Sequence, residues 1–123
     1  MSCAVVHWRS TPPLGAGDLF LASAGPGELS TVAALMRTAT DAGAARLFVT
    51  ARRDTPTASL ASHVLHIPAQ TMATDRTAPT GTLPMGSLYE GALFVLFEVM
   101  VQRLAALLGE TPDSMRARHT NME

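Results

Sequence analysis

Two nearly unbroken apolar runs, Asp18-Leu19-Phe20-Leu21-Ala22-Ser23 and Arg46-Leu47-Phe48-Val49-Thr50, stand one helix-length apart in this sequence. A strand with apolar side chains on both faces has to be covered on both, as in parallel sheets flanked by helices. Between the runs lies a sharp Gly25-Pro26-Gly27 turn. A helix is predicted from about residue 28 to 42, with Val32, Leu35, Met36 and Ala39 at helical spacing and Gly43 as its stop signal. A short helix over 57–62 and a strand Val64-Leu65-His66-Ile67, ended by Pro68, extend the pattern. Ala4-Val5-Val6-His7 reads as a further short strand, followed by a loop through Pro12, Pro13 and Gly15. Strand and helix alternate, which implies an α/β fold built on parallel strand–helix–strand units.

Residues 70–82 mix Thr, Pro, Gly and Asp and read as a loop. Beyond Pro84 a long helix is predicted over 87–108, stopped by Gly109. Thr111 as N-cap and Pro112 at the first helical position open a last short helix. The long helix is apolar on almost every face, through Leu88, Leu93, Phe94, Phe97, Met100, Leu104 and Leu107. Glu90, Glu98, Gln102 and Arg103 interrupt it, which favours burial within protein over burial in lipid. One sheet covers only one side of such a helix, so association of subunits through residues 87–108 is expected, giving a homo-oligomer. The alternative is a central helix sandwiched inside one domain.

The chain has 123 residues, 47% of them hydrophobic and 15% charged, which bounds a single globular domain over 1–123. Its formal net charge of -1 and the absence of a basic block argue against nucleic acid or an anionic membrane as partner. Cys3 is the single cysteine, so no internal disulfide forms, in keeping with a reducing cytoplasm. No basic start followed by an apolar run marks a signal peptide.

Ligands of open parallel sheets sit beyond the carboxyl ends of the strands, which selects the loops 23–30, 50–54 and 69–72. Ser23, Gly25, Gly27, Glu28, Ser30 and Thr31 make up the first of these. A glycine-rich turn before a helix offers backbone N–H groups to a phosphate, although the same glycines also serve turn geometry alone. Glu90 lies on the opening turn of an apolar helix, where partial burial would suit a general base. Glu98 lies about 80° further round the same helix and reads as an ordinary paired carboxylate. His119, between Arg118 and Asn121, is a second proton-transfer group or a solvated terminal side chain. His63 and His66 read as packing or surface residues, and no set of residues has zinc-ligand spacing. The serines lack a nucleophile elbow. Arg52-Arg53-Asp54 is a loop that neutralises a ligand or is simply solvated, and Trp8 reads as a packing anchor.

The segment Pro84-Met85-Gly86-Ser87-Leu88-Tyr89-Glu90 and the ending Arg118-His119-Thr120-Asn121-Met122-Glu123 closely resemble the 6-phospho-3-hexuloisomerases, a branch of the sugar-isomerase (SIS) domain family. The resemblance implies a three-layer, flavodoxin-like parallel-sheet domain that starts at the second strand, and is thus incomplete at the N-terminus. It implies an aldose–ketose isomerase that interconverts a 3-keto hexose 6-phosphate and fructose 6-phosphate through an enediol. Glu90 would be its base and His119, commonly supplied by a neighbouring subunit, its proton shuttle. The 23–31 turn and Ser87 would hold the phosphate, in a cytoplasmic dimer or tetramer with no metal or organic cofactor. The family's Ser-Gly-Ser-Gly-Glu-Thr turn is altered here, with Ala24, Pro26 and Leu29 in place of its hydroxyls. That alteration keeps open a non-catalytic sugar-phosphate-binding or regulatory module. In the family's strand order a vacancy falls between residues 4–7 and 18–23, and the N-terminal segment or another chain is expected to fill it.

Overall fold

A computed structural model describes residues 12–74 and 82–119 of the chain. Cys3, Trp8 and the strand expected over residues 4–7 lie outside the described residues, as do the filling of the vacancy beside β1 and residues 120–123 of the C-terminal motif. The chain divides into two compact units, Met1–Glu90 and Gly91–Glu123.

The first unit is an α/β fold on a parallel sheet. Its elements run β1 (Leu19–Ser23), α1 (Ser30–Asp41), β2 (Ala45–Thr50), α2 (Pro56–Ser59) and β3 (His63–His66). The sheet order is β1-β2-β3, with Leu21 opposite Leu47 and Phe48 opposite Val64. Both apolar runs form the strands expected of them. Phe20, Ala22 and Phe48 point to one face and meet Met36 and Ala39 of α1 and Ala58 of α2 in the core. Leu35, expected in that core, is exposed, and the buried stripe is Ala33, Met36 and Ala39. The i, i+3, i+6 spacing of those three small or flexible residues lets α1 approach the sheet closely, and Leu35 falls beside the contact. On the opposite sheet face Leu19 and Leu21 are 42% and 38% exposed, while Val49 is fully buried.

Gly43 ends α1 with a φ of +75°. Its N–H donates to Thr40, and the next one, from Ala44, donates back to Ala39, both at 3.0 Å. This double closure satisfies the last helical carbonyls and needs the left-handed conformation that glycine adopts without strain.

Helix α3 (Ser87–Leu108) has the bounds its sequence predicts. Only Tyr89 of its residues is buried, while Phe94, Leu107 and Leu108 are about 70% exposed. By length and composition α3 could also cross a membrane. The second unit contains the rest of this helix and α4 (Pro112–Arg116). The Thr111 hydroxyl accepts the Ser114 N–H at 3.1 Å, and the Ser114 hydroxyl accepts the Thr111 N–H at 3.0 Å. This reciprocal cap fixes the start of α4. Arg118 pairs with Glu110 at 2.7 Å, and the guanidinium, helped by the Ser114 hydroxyl, holds the Glu110 carboxyl below its ordinary range.

Candidate active site

A cleft of about 420 Å³ opens in the first unit beyond the carboxyl end of β1. Gly25 and Pro26 form one wall, Thr71 and Met72 another, and the segment from Met85 to Glu90 the third. Two of the three loops selected from the sequence therefore contribute to it. Gly25, Ser87 and Glu90 come together here, whereas Ser23, Gly27, Glu28, Ser30 and Thr31 do not line the cleft.

Among the described residues of the lining, Glu90 is the one that carries a charge. Its N–H donates to the Gly86 carbonyl at 3.0 Å, which places it in the first turn of α3. There the helix dipole favours a negative charge. The carboxylate is exposed, contrary to the partial burial expected from its apolar neighbours. Leu88, one of those neighbours, is itself 41% exposed and does not shield it. Met85, just before the helix, has a φ of +54°, an uncommon conformation for a residue with a side chain.

The glycines of the turn have packing duties. A side chain on Gly25 would put its Cβ 2.9 Å from Cδ1 of Tyr89 and 3.2 Å from Cγ2 of Thr71. Gly27 has a φ of +83°, and a Cβ there would lie 2.7 Å from Cγ2 of Thr55 and 3.0 Å from the Arg52 carbonyl oxygen. The Thr55 hydroxyl donates to the Gly27 carbonyl at 2.8 Å. Glu28, one of the expected phosphate residues, instead accepts the Thr57 N–H at 3.1 Å. Ser30 and Thr31 occupy the first turn of α1, exposed. Leu29 is the N-cap of that helix, makes no side-chain capping bond, and no acidic residue follows in the first turn. The opening N–H groups of α1 thus lack the oxygen that a Ser, Thr, Asp or Asn cap would supply.

Tyr89 is a residue of the site that the pattern of its largely apolar helix does not single out as a polar anchor. It is 2% exposed, its hydroxyl donates to the Val49 carbonyl at 3.0 Å, and Ser23 Oγ lies 2.9 Å away. Burial pushes the phenol above its ordinary range, the Ser23 hydrogen bond opposes this, and the Glu90 charge adds to the rise. The signal that could have found it is its uniqueness, since it is the only tyrosine in the sequence and a buried phenol needs a partner.

His119 belongs to the second unit, exposed after α4, with its backbone N–H donating to Arg116 at 3.0 Å. His66 is engaged on both ring nitrogens, by the Arg53 guanidinium at 3.0 Å and the Ala51 carbonyl at 3.0 Å. Because guanidinium only donates, Nδ1 accepts and Nε2 carries the hydrogen. Among the described residues, no three His, Cys, Asp or Glu side chains are grouped to hold a metal ion.

No family model matches the chain. It is 37% identical over 114 residues to a 3-hexulose-6-phosphate isomerase of Mycobacterium gastri, covering 93% of this chain and 57% of that protein. To proteins of the same name from Methylomonas aminofaciens and Bacillus subtilis it is 31% and 28% identical, each match covering 92% of this chain and 61% of the relative. A solved structure described as a hypothetical protein superposes with a TM-score of 0.79 at 22% identity, covering 95% of this chain and 62% of that one, which shows a shared fold. The chain spans about three-fifths of the length of these curated relatives. Over most of its length the chain is thus a homologue of proteins named 3-hexulose-6-phosphate isomerase, of the SIS family, at 28–37% identity.

Proposed function

We propose that this chain carries the base-bearing part of a sugar-phosphate isomerase that converts a 3-keto hexose 6-phosphate to fructose 6-phosphate. The observation that carries the reading is Glu90, the one charged group among the described residues that line a cleft at the carboxyl end of a parallel sheet. Its carboxylate takes the proton from the carbon beside the carbonyl, leaving an enediol. It then returns the proton to the neighbouring carbon, so atoms balance and nothing is consumed. A second group must move the hydroxyl proton between the two oxygens, and His119 is assigned that role. The uncapped start of α1, with Ser30 and Thr31, offers neutral donors for the phosphate.

Assembly of subunits through α3 belongs to the same reading, supported by the exposed apolar residues along that helix. So does operation in the cytoplasm, without metal or organic cofactor. A second reading, a sugar-phosphate-binding module without turnover, is favoured by the absence of Lys and Arg from the described residues of the cleft lining and of hydroxyls at Ala24 and Pro26. Product formation followed by NMR decides between the two. Isomerisation that falls by about 10²-fold or more in Glu90→Gln supports catalysis. Binding of fructose 6-phosphate without any turnover supports the module, and full activity in Glu90→Gln would remove Glu90 from the mechanism.

A further inference from the structure

The buried hydroxyl of Tyr89 has no part in the reaction steps above, yet its two contacts fix the order of hydrogens behind the cleft wall. A main-chain carbonyl only accepts, and a phenol has one hydrogen to give. That hydrogen goes to Val49, at 3.0 Å. The 2.9 Å contact with Ser23 therefore uses the serine's hydrogen. Val49 also takes the Ala24 N–H at 3.0 Å, so its carbonyl has two donors and is filled. The result is a closed chain from Ser23 to Tyr89 to Val49, which ties the last residue of β1 and the fifth residue of β2 to the first turn of α3. The Tyr89 ring completes the tie by lying against Gly25, at a spacing that leaves no room for a Cβ.

We propose that Tyr89 is the positioning residue for Glu90, and that its hydroxyl commits the Ser23 hydrogen to the protein and so withdraws Ser23 from the donors that bind substrate phosphate. The inference rests on the isomerase reading of Glu90 and adds to it. Glu90 follows Tyr89 on the helix, about 100° round. Where the first turn is pinned therefore decides where the carboxylate reaches, and a displacement of about 1 Å there is enough to slow proton transfer up to about 10²-fold. Ser23, named from the sequence as a phosphate ligand, stands behind the wall and not in it. The phosphate is left to donors elsewhere on the turn and on α1.

Two measurements test this. The first needs no ligand, because the single tyrosine makes phenolate absorbance a direct report on Tyr89. Ser23→Ala should raise the ionisation midpoint, since the phenolate loses its donor, and Ser23→Thr should keep the wild-type value. Glu90→Gln should lower the midpoint by removing the neighbouring negative charge. Midpoints that ignore Ser23→Ala and Glu90→Gln overturn the tie.

The second is the isomerase assay at a temperature where circular dichroism shows every variant folded. Tyr89→Phe should lower kcat about tenfold with KM within about twofold, the split expected when a base is misplaced and substrate binding is intact. Ser23→Ala should leave KM within about twofold, and Ser23→Thr should match wild type in both constants. Wild-type kcat in Tyr89→Phe overturns the positioning role, and a tenfold rise in KM for Ser23→Ala returns that serine to the phosphate ligands. A wild-type chain with no turnover sinks the isomerase reading and the positioning of its base together. The ligand-free titration still decides the fate of the Ser23 hydrogen.

Discussion

Glu28 accepts the Thr57 N–H through Oε2 at 3.1 Å, joining the turn after β1 to the first turn of α2 across 29 residues of sequence. The carboxylate supplies an acceptor for a helix-opening N–H, and the helix end favours its charge. Glu28→Ala should destabilise the chain by about 1 kcal/mol, read as a lower Tm. A Tm equal to wild type would mean that water serves Thr57 equally well.

Thr57 itself presents the opposite case. Its Oγ1 is buried without a hydrogen-bond partner among the described residues. An unpaired buried hydroxyl costs about 1–3 kcal/mol, and a methyl group of the same shape removes that penalty. Thr57→Val is expected to raise stability by about 1 kcal/mol in denaturant titration. A loss of stability would reveal a partner for this oxygen.

The two turn glycines should differ in their tolerance of alanine. At Gly25 the nearest obstacle is an aromatic ring that is itself hydrogen-bonded, so Gly25→Ala is expected to lower stability by about 1–3 kcal/mol and to disturb Tyr89. At Gly27 a positive φ is added to contacts with the Arg52 backbone, which cannot step aside. Gly27→Ala should therefore cost about 1–2 kcal/mol more than its steric clash alone. Equal Tm values for the two variants would contradict that ranking.

Alkaline pH should weaken the fold through Tyr89. The unfolded chain releases the phenolic proton near pH 10, and the folded chain, whose phenol is raised by burial, releases it only at higher pH. Between the two values the folded state holds more protons, so stability falls as pH rises. The contribution is complete below about pH 10 and is lost once the folded phenol ionises. The nine basic residues are all arginine, so no lysine titration overlaps this window. Tm should decline above about pH 10 in the wild type and more shallowly in Tyr89→Phe. Parallel declines in both would assign the effect to other groups.

Assembly is tested at Phe94, 68% exposed on α3. Phe94→Glu should shift the mass seen by light scattering from a dimer or larger species toward the monomer. A monomeric wild type would exclude self-association, and recovery of the wild-type chain with lipid vesicles would point to a bilayer as the cover instead.

Much of the fold was legible because its signals are local. Apolar runs of strand length, Gly43, Gly109 and the Thr111-Pro112 pair fixed nearly every element, and α3 ran from Ser87 to Leu108 as expected. Leu35 was misjudged because helical spacing identifies a stripe of about three residues per two turns without saying which edge of it touches the sheet. The candidate site was only half legible. Glu90 and Ser87 were found through a motif, and both line the cleft. Glu28 and Ser23 were assigned to the phosphate because their residue types suit that task, but their partners, Thr57 and Tyr89, are 29 and 66 residues away. Partnerships of that range leave no periodic trace.

The sheet face bearing Leu19 and Leu21 has a practical corollary. With Leu19 and Leu21 exposed there, and Val64 39% exposed on the other face, the folded chain has apolar surface of the kind that environment-sensitive dyes seek. Bright dye fluorescence from this protein would therefore be a property of its native state and would look, wrongly, like partial unfolding. Order here is better judged by near-ultraviolet circular dichroism, with Tyr89→Phe separating the contribution of the phenol held against Ser23 and Val49 from that of Trp8.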